Sequence, residues 1–336
     1  MLRSLTICLA LLALVACDSS LPQLDLKGGA LGTSFVVSLV DPPAGLDREA
    51  LQEDVHAVLQ SVDDLASTWR DDSELSRFNA DLSIDWIPVS AEFCDLLQRA
   101  RDVSVATGGA FDLTIGPLVN LWGFGPNGQA GNPPTTADIQ AAQQRVGFDK
   151  LETDCQERLV RKDVPDLYVD LSGWAKGYAV DRLADMLEAR NFKNFLVEVG
   201  GELRVRGLNR DRNKWAIGIE APSTSARVPH AIVDVTDTSV ATSGDYRNFF
   251  EHEGQRFSHT IDARTGRPVS HSLAAVTVIA PSAAYADAMA TALLVLGPDA
   301  GPALARELKL AAYFLVRGQT EIQEITTTEF DTLSKL

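Results

Sequence analysis

Val169-Asp170-Leu171-Ser172-Gly173-Trp174-Ala175-Lys176-Gly177-Tyr178-Ala179-Val180-Asp181 changes character half-way along. Leu167-Tyr168-Val169 leads in with strand-like residues. A glycine turn follows, and Val180, Leu183, Ala184 and Leu187 then recur at helical spacing. A helix opened by such a turn offers unpaired, outward-pointing N–H groups to an anion. Lys176 adds a full positive charge there, and Asp170 stands at the strand end, where a carboxylate can anchor a polar ligand or a metal. Taken alone, the stretch favours a plain strand–turn–helix with a surface lysine, because short Gly/Lys turns arise by chance. The surrounding chain decides between the two readings.

Outward from it, short strands and helices alternate irregularly. Thr33 to Val40 is β-branched and alternating, a strand. Leu51, Val55, Val58, Leu59, Val62 and Leu65 form one helix face; Phe93, Leu96, Leu97, Ala100 and Val103 form another, capped by Ser90. Thr136 is positioned to cap a helix over 138–146. Leu159-Val160 reads as a hairpin arm. Phe195–Val199, Trp215–Ile219, Ala231–Val235, Phe257–Asp262, Leu273–Ala280 and Ala311–Val316 read as strands, Ala241–Tyr246 as a turn, and Ala286–Leu296 as a helix closed by Gly297. Hairpins between helices imply an α+β fold of mixed, largely antiparallel sheets with packed helices. Neither GxGxxG nor GxxxxGK[ST] occurs, which removes the support for a Rossmann site or a P-loop.

The formal charge is −16, which disfavours nucleic acid as a partner. An acidic protein that handles a polyanion needs local cations or a divalent metal. The first residues form an address. Arg3 precedes the apolar run Leu5–Ala16, too short to span a bilayer, and Leu14-Val15-Ala16-Cys17 resembles a lipobox, with Cys17 the acylated residue. The expected organisation is a signal over 1–17, a tether over 18–29 and one catalytic domain over 30–336. The expected lipid anchors the chain without spanning, since no other apolar run is long enough to cross. Asp18 resembles the inner-membrane retention signal of enteric bacteria. Cys94 and Cys155 remain in the mature chain, and their spacing leaves a disulfide and two core thiols equally open.

Asp287 and Thr291 are four apart and share a helix face. A carboxylate and a hydroxyl so placed can take two positions of an octahedral magnesium shell, the rest going to water and phosphate oxygens. A first-turn acid beside a surface threonine is the commoner meaning of such a pair. His259 beside a polar loop has the chemistry of a general base, although a packed or solvated histidine is commoner. Trp69, Phe111 and Trp122 have the area to stack on a planar ring, or simply to fill a core.

Together these pieces resemble the FAD:protein FMN transferase family, the ApbE-like flavin transferases. The matching segments run in order: Leu31-Gly32-Thr33; Ser67-Thr68-Trp69 with Ser73–Asn79; Gly109–Asp112 through Gly116–Val119 and Leu121–Gly125; Asp170–Gly173 with Lys176-Gly177-Tyr178; Gly200-Gly201; Ala241–Tyr246; Ser258-His259 with Asp262 and Thr265-Gly266; and Ala286-Asp287-Ala288 with Thr291-Ala292-Leu293. The resemblance implies an enzyme that splits the diphosphate of FAD, releases AMP and leaves FMN on a threonine or serine hydroxyl of a target protein, a subunit of a membrane redox complex. It implies Mg2+ held by Asp287, Thr291 and the Gly173 carbonyl. It implies FAD bound by Lys176 and Asp170, with Trp69 against one ring, Leu31 and the Ala110-Phe111-Asp112 backbone lining the pocket, Ile261 flanking it, and His259 as base. Ala290 stands where some relatives carry a second carboxylate, which implies a metal shell with more water. The address implies the periplasmic side of the inner membrane. Two alternatives share these residues: a magnesium-dependent FAD pyrophosphatase, and a lipid-anchored flavin-binding protein without turnover.

Overall fold

The computed structural model describes residues 20–128, 131–222 and 228–333; Cys17 and the expected signal segment lie outside them. Eight strands form the main sheet: β1 (Gln23–Ala30), β2 (Thr33–Val40), β3 (Phe195–Val199), β4 (Glu202–Arg206), β5 (Thr238–Gly244), β6 (Leu273–Ala280), β7 (Ala311–Arg317) and β8 (Ile322–Thr326). They lie side by side in chain order, every pair antiparallel. The sheet is therefore one long meander, and the rest of the described chain is inserted between its strands.

The largest insertion separates β2 from β3. It carries α1 (Arg48–Ala66), α2 (Glu74–Ala80), α3 (Ala91–Ala106), α4 (Gly116–Leu121), α5 (Thr136–Gln143) and α6 (Ala175–Ala189), with a small sheet of Ile87–Pro88, Leu151–Asp154 and Leu159–Lys162. Trp215–Glu220 and Pro229–Val235 form a hairpin between β4 and β5, and two short hairpins over 249–268 separate β5 from β6. α7 (Ala283–Glu307) follows β6, and α8 (Thr328–Leu333) follows β8.

The helix stripes read from the sequence are the buried ones. Leu51, Val55, Leu59 and Val62 of α1 and Val180, Leu183, Ala184 and Leu187 of α6 pack with Phe35, Val37, Phe195 and Val197 of the sheet. On the opposite face, Trp215, Ile217, Val233 and Val235 of the long hairpin cluster with Tyr313, Leu315 and Phe330. All eight residues of β6 are buried, because α7 covers one side and this second cluster the other. α7 is long and apolar enough to cross a membrane, contrary to the reading that no such run exists. Its apolarity is used inside the molecule: 61% of its most apolar window is buried.

Several expectations need correction. Residues 23–29, expected in a tether, are in β1, whose Leu26 packs inward although the glycines 28 and 29 mask the strand pattern. Leu167–Val169 joins no sheet. Val169 is held by a side chain instead, with Asn79 Nδ2 donating to Val169 O and Val169 N donating to Asn79 Oδ1, both at 2.8 Å. Ala241–Gly244 is the end of β5, not a turn. Thr135, not Thr136, caps α5, in a reciprocal capping box with Asp138. Gly297 does break α7 with φ 80 and ψ −173, but helix resumes after it. The cysteine question is answered: Cys94 and Cys155 form a disulfide that ties α3 to the small sheet.

Candidate active site

Trp174, the N-cap of α6, makes no side-chain capping hydrogen bond. The open N-terminus of the helix is approached instead by Asp287 of α7, whose Oδ2 accepts from Gly177 N at 3.3 Å and from Lys176 Nζ at 3.4 Å. A carboxylate is favoured there by the positive end of the helix dipole. The two helices meet closely because position 177 has no side chain; a Cβ there would fall 2.3 Å from Ala283 O. Asp181, one turn on, fixes the pairing. It accepts from the Ala283 and Ala284 N–H groups and from Ser282 Oγ, and so caps α7 from α6.

Thr291, one turn beyond Asp287, lies over the glycine turn. A Cβ on Gly173 would fall 3.2 Å from Thr291 Oγ1 and 3.4 Å from Phe111 Cε2. Ser243 Oγ at the end of β5 lies 3.0 Å from Thr291 Oγ1. Gly173, Asp287, Thr291, Lys176 and Phe111 therefore converge as the sequence expects. Gly173, Lys176, Ser243 and Thr291 are partly exposed above a buried Asp287.

A feature not read from the sequence is Glu202, 4% exposed, whose Oε1 lies 3.2 Å from Lys176 Nζ and whose Oε2 has no hydrogen-bond partner. Burial pushes its carboxyl up to about 8; the Lys176 ammonium opposes that rise and Asp287 adds to it. Burial disfavours the Lys176 charge, but Asp287 and Glu202 outweigh it and hold the ammonium protonated. The lysine stem reaches both acids across Gly200 (φ +65), where a Cβ would fall 3.0 Å from Lys176 Cδ and 2.9 Å from Thr33 Cγ2. The adjacent Gly200-Gly201-Glu202 was the available signal: the close approach allowed by the glycines is to Lys176.

Asp170 is buried at the start of the turn. Its N–H donates to Leu113 O and its Oδ1 accepts from Ser172 N, each at 2.8 Å. Burial raises its pKa, with the Ser172 hydrogen bond opposing. Ala110, Phe111 and Asp112 are buried, and the Asp112 carboxylate is spent on the scaffold, accepting from Thr114 N, Thr114 Oγ1 and Phe148 N. What this segment offers a ligand is backbone and the Phe111 ring.

His259 donates from its backbone N to Asn248 O at 3.0 Å, and its Nδ1 sits 3.0 Å from the same oxygen. That carbonyl requires the proton on Nδ1 and leaves Nε2 as an acceptor. Burial lowers the His259 pKa; the Asn248 contact opposes this, and the Lys176 charge lowers it further. β5 ties the histidine loop to the cluster: Ser243 reaches Thr291, and two residues on Asp245 O accepts from Arg256. Trp122 is core, stacked on Phe257 and donating to Gly266 O.

The remaining expected residues lie in other settings. Trp69 is 69% exposed, its N–H on Ser67 Oγ. Leu31 lines a cleft of about 570 Å³ between the β1–β2 turn and α1, with Glu53, His56 and Gln60. Ile261 is buried in the apolar cluster of Leu118, Trp122 and Ile139. No group of three His, Cys, Asp or Glu side chains suited to a metal occurs among the described residues. The side-chain oxygens of Asp287, Thr291 and Ser243, with Gly173 packed against Thr291, are hard donors of the kind magnesium takes, and the contacts made by Asp287 Oδ2 are long.

The model of the ApbE family matches residues 31–314. An FAD:protein FMN transferase of Vibrio cholerae is 40% identical over 321 residues, covering 96% of this chain and 96% of that protein. One of Escherichia coli strain K12 is 40% identical over 294 residues, covering 87% and 84%. Among solved structures, the flavin transferase ApbE from Vibrio cholerae has a TM-score of 0.86 at 38% identity, covering 93% of this chain and 99% of that one. The apo Pseudomonas stutzeri flavinyl transferase ApbE has a TM-score of 0.86 at 39% identity, covering 94% and 98%. The fold is theirs as well as the sequence, and the chain belongs to the ApbE family.

Proposed function

We propose that the protein is an FAD:protein FMN transferase. An acceptor threonine or serine oxygen attacks the phosphorus on the FMN side of FAD. The bond from that phosphorus to the bridging oxygen breaks, AMP leaves with that oxygen, and the hydroxyl proton passes to His259 Nε2. The observation that carries this reading is the convergence of Lys176, Gly173, Asp287 and Thr291 at one helix N-terminus, in a chain of this family. Lys176, at the positive end of the α6 dipole, offers the diphosphate positive charge. Asp287, Thr291 and Gly173 O would hold Mg2+, which would polarise the phosphorus and neutralise the leaving phosphate. Asn248 O holds His259 in the tautomer that accepts a proton.

The proposed address is the periplasmic side of the inner membrane, through a lipid on Cys17, with a membrane redox complex subunit as acceptor. The disulfide supports an exported location, since such bonds persist in oxidising compartments. The test is intact-mass analysis of an acceptor domain incubated with the protein, FAD and Mg2+. A gain equal to FMN on one hydroxyl is expected. Free FMN and AMP with an unmodified acceptor would indicate the pyrophosphatase, and FAD bound but never consumed would indicate a flavin-binding protein.

A further inference from the structure

Both ends of the main sheet are distinct places. At one end lie the β1–β2 turn with Leu31, the β3–β4 turn with Gly200 against Lys176, and Ser243 at the end of β5. At the other end lie the start of β1 at Gln23, Asn194 before β3, Gly207 after β4, and Thr238 at the start of β5. The chain enters the body at this second end. Leu21 N donates to Arg210 O at 2.7 Å, and Arg210 Nη2 donates to Ser20 Oγ at 2.7 Å.

The fixed entry point shortens the leash. From Cys17 to Ser20 is three residue steps, a reach of roughly 10 Å at full extension. A lipid on Cys17 thus holds this end of the sheet at the headgroup layer. The surface there departs from the charge of the whole chain. Residues 206–214 carry four basic residues against one acidic in a protein of net charge −16. Arg210, Arg212, Lys214 and, beside them, Lys193 are exposed, as is Leu208 at 40%. Gly207 packs on Lys193 O, and Leu208 N donates to Asn194 Oδ1, so loop and lysine form one surface. The acids facing it are Asp41, Asp211, Asp237, which is engaged by Gly207 N, and Glu188, which pairs with Arg206 at 2.6 Å and so takes that residue out of the free charge.

We infer that this end of the sheet, with Lys193, Leu208, Arg212 and Lys214 at its surface, lies on an anionic phospholipid headgroup layer and holds the catalytic end away from the membrane. The inference rests on the Cys17 anchor proposed above and adds an orientation and a lipid preference to it. From Gln23 to Ala30, β1 spans about 23 Å at ~3.3 Å per residue. The strands act as a spacer of that height. The acceptor hydroxyl then belongs on a segment that stands clear of the bilayer, not at its surface. Each basic group near an anionic surface adds modest, salt-screened attraction, and the lipid supplies the residence.

The experiment uses the full-length acylated protein in vesicles of phosphatidylethanolamine and phosphatidylglycerol that contain a headgroup-nitroxide lipid. A fluorophore is placed at Asn213→Cys in the basic turn or at Ser34→Cys, exposed at the opposite end of β2. Quenching several-fold stronger at position 213 than at 34 is expected. It should weaken several-fold in Arg212→Glu/Lys214→Glu, and when phosphatidylcholine replaces phosphatidylglycerol. Equal quenching at both positions, or the reverse order, overturns the orientation. Quenching that ignores lipid charge overturns the anionic contact. The protein's intact mass separates these from a failed anchor: without acyl chains on Cys17, the membrane reading and this inference fall together, while the flavin transferase assay stands apart.

Discussion

At the scale of single residues, the site is a problem in charge placement. Lys176 sits between two buried acids, and Asp287 also faces the open end of α6. Substituting His259 by Ala should lower transfer by about 10²–10⁴-fold, the range of a lost general base, with FAD binding retained by equilibrium titration. The wild-type pH profile follows from the same residue. A base works when deprotonated, and burial lowers the His259 pKa. Transfer should therefore persist below the pH at which an ordinary histidine protonates and fall only at more acidic pH; a rate profile on the acid limb checks this. Asn79 lies within one of the matching segments, but its work is not legible in the sequence, because a side chain that substitutes for a strand partner leaves no periodic trace. Asn79→Ala strands the Val169 N–H and C=O in the interior. The expected loss is about 1–3 kcal/mol by urea unfolding, with weaker FAD binding as the turn at Asp170 loosens.

At the scale of elements, amphipathic patterns were legible and composite ones were not. α1, α3 and α6 announced themselves because each buries one stripe. β1 did not, because two glycines interrupt it and its order comes from pairing with β2. The join between α3 and the small sheet was open in the sequence because two distant cysteines carry no pairing information. In the structure the bond spans 61 residues of chain, and Cys94 is fully buried. Loop-closure entropy for that span gives roughly 4 kcal/mol of stabilisation. The double variant Cys94→Ala/Cys155→Ala should melt roughly 5–10 °C lower by calorimetry. Its turnover at low temperature should be nearly unchanged, since neither sulfur touches the Asp287 cluster.

At the scale of the molecule, the meander explains why the site was only partly legible. The motifs at Asp170–Lys176 and Asp287–Thr291 were visible as separate runs 111 residues apart. Physical reading of either run alone favoured an ordinary turn or helix; only the order of all the motifs suggested a shared site. Glu202 escaped because its role exists only once β4, α6 and α7 are packed together. Catalysis in this molecule requires that the carboxylate of α7 and the glycine turn before α6 act on the same phosphorus. The most direct measurement is AMP release from saturating FAD, in the presence of an acceptor domain, by the wild type and by Asp287→Ala. A fall of about 10²–10³-fold is expected, as for removal of a group that stabilises developing charge, with FAD still bound. AMP release within about twofold of the wild type, a difference too small to reflect a lost transition-state contact, would contradict it.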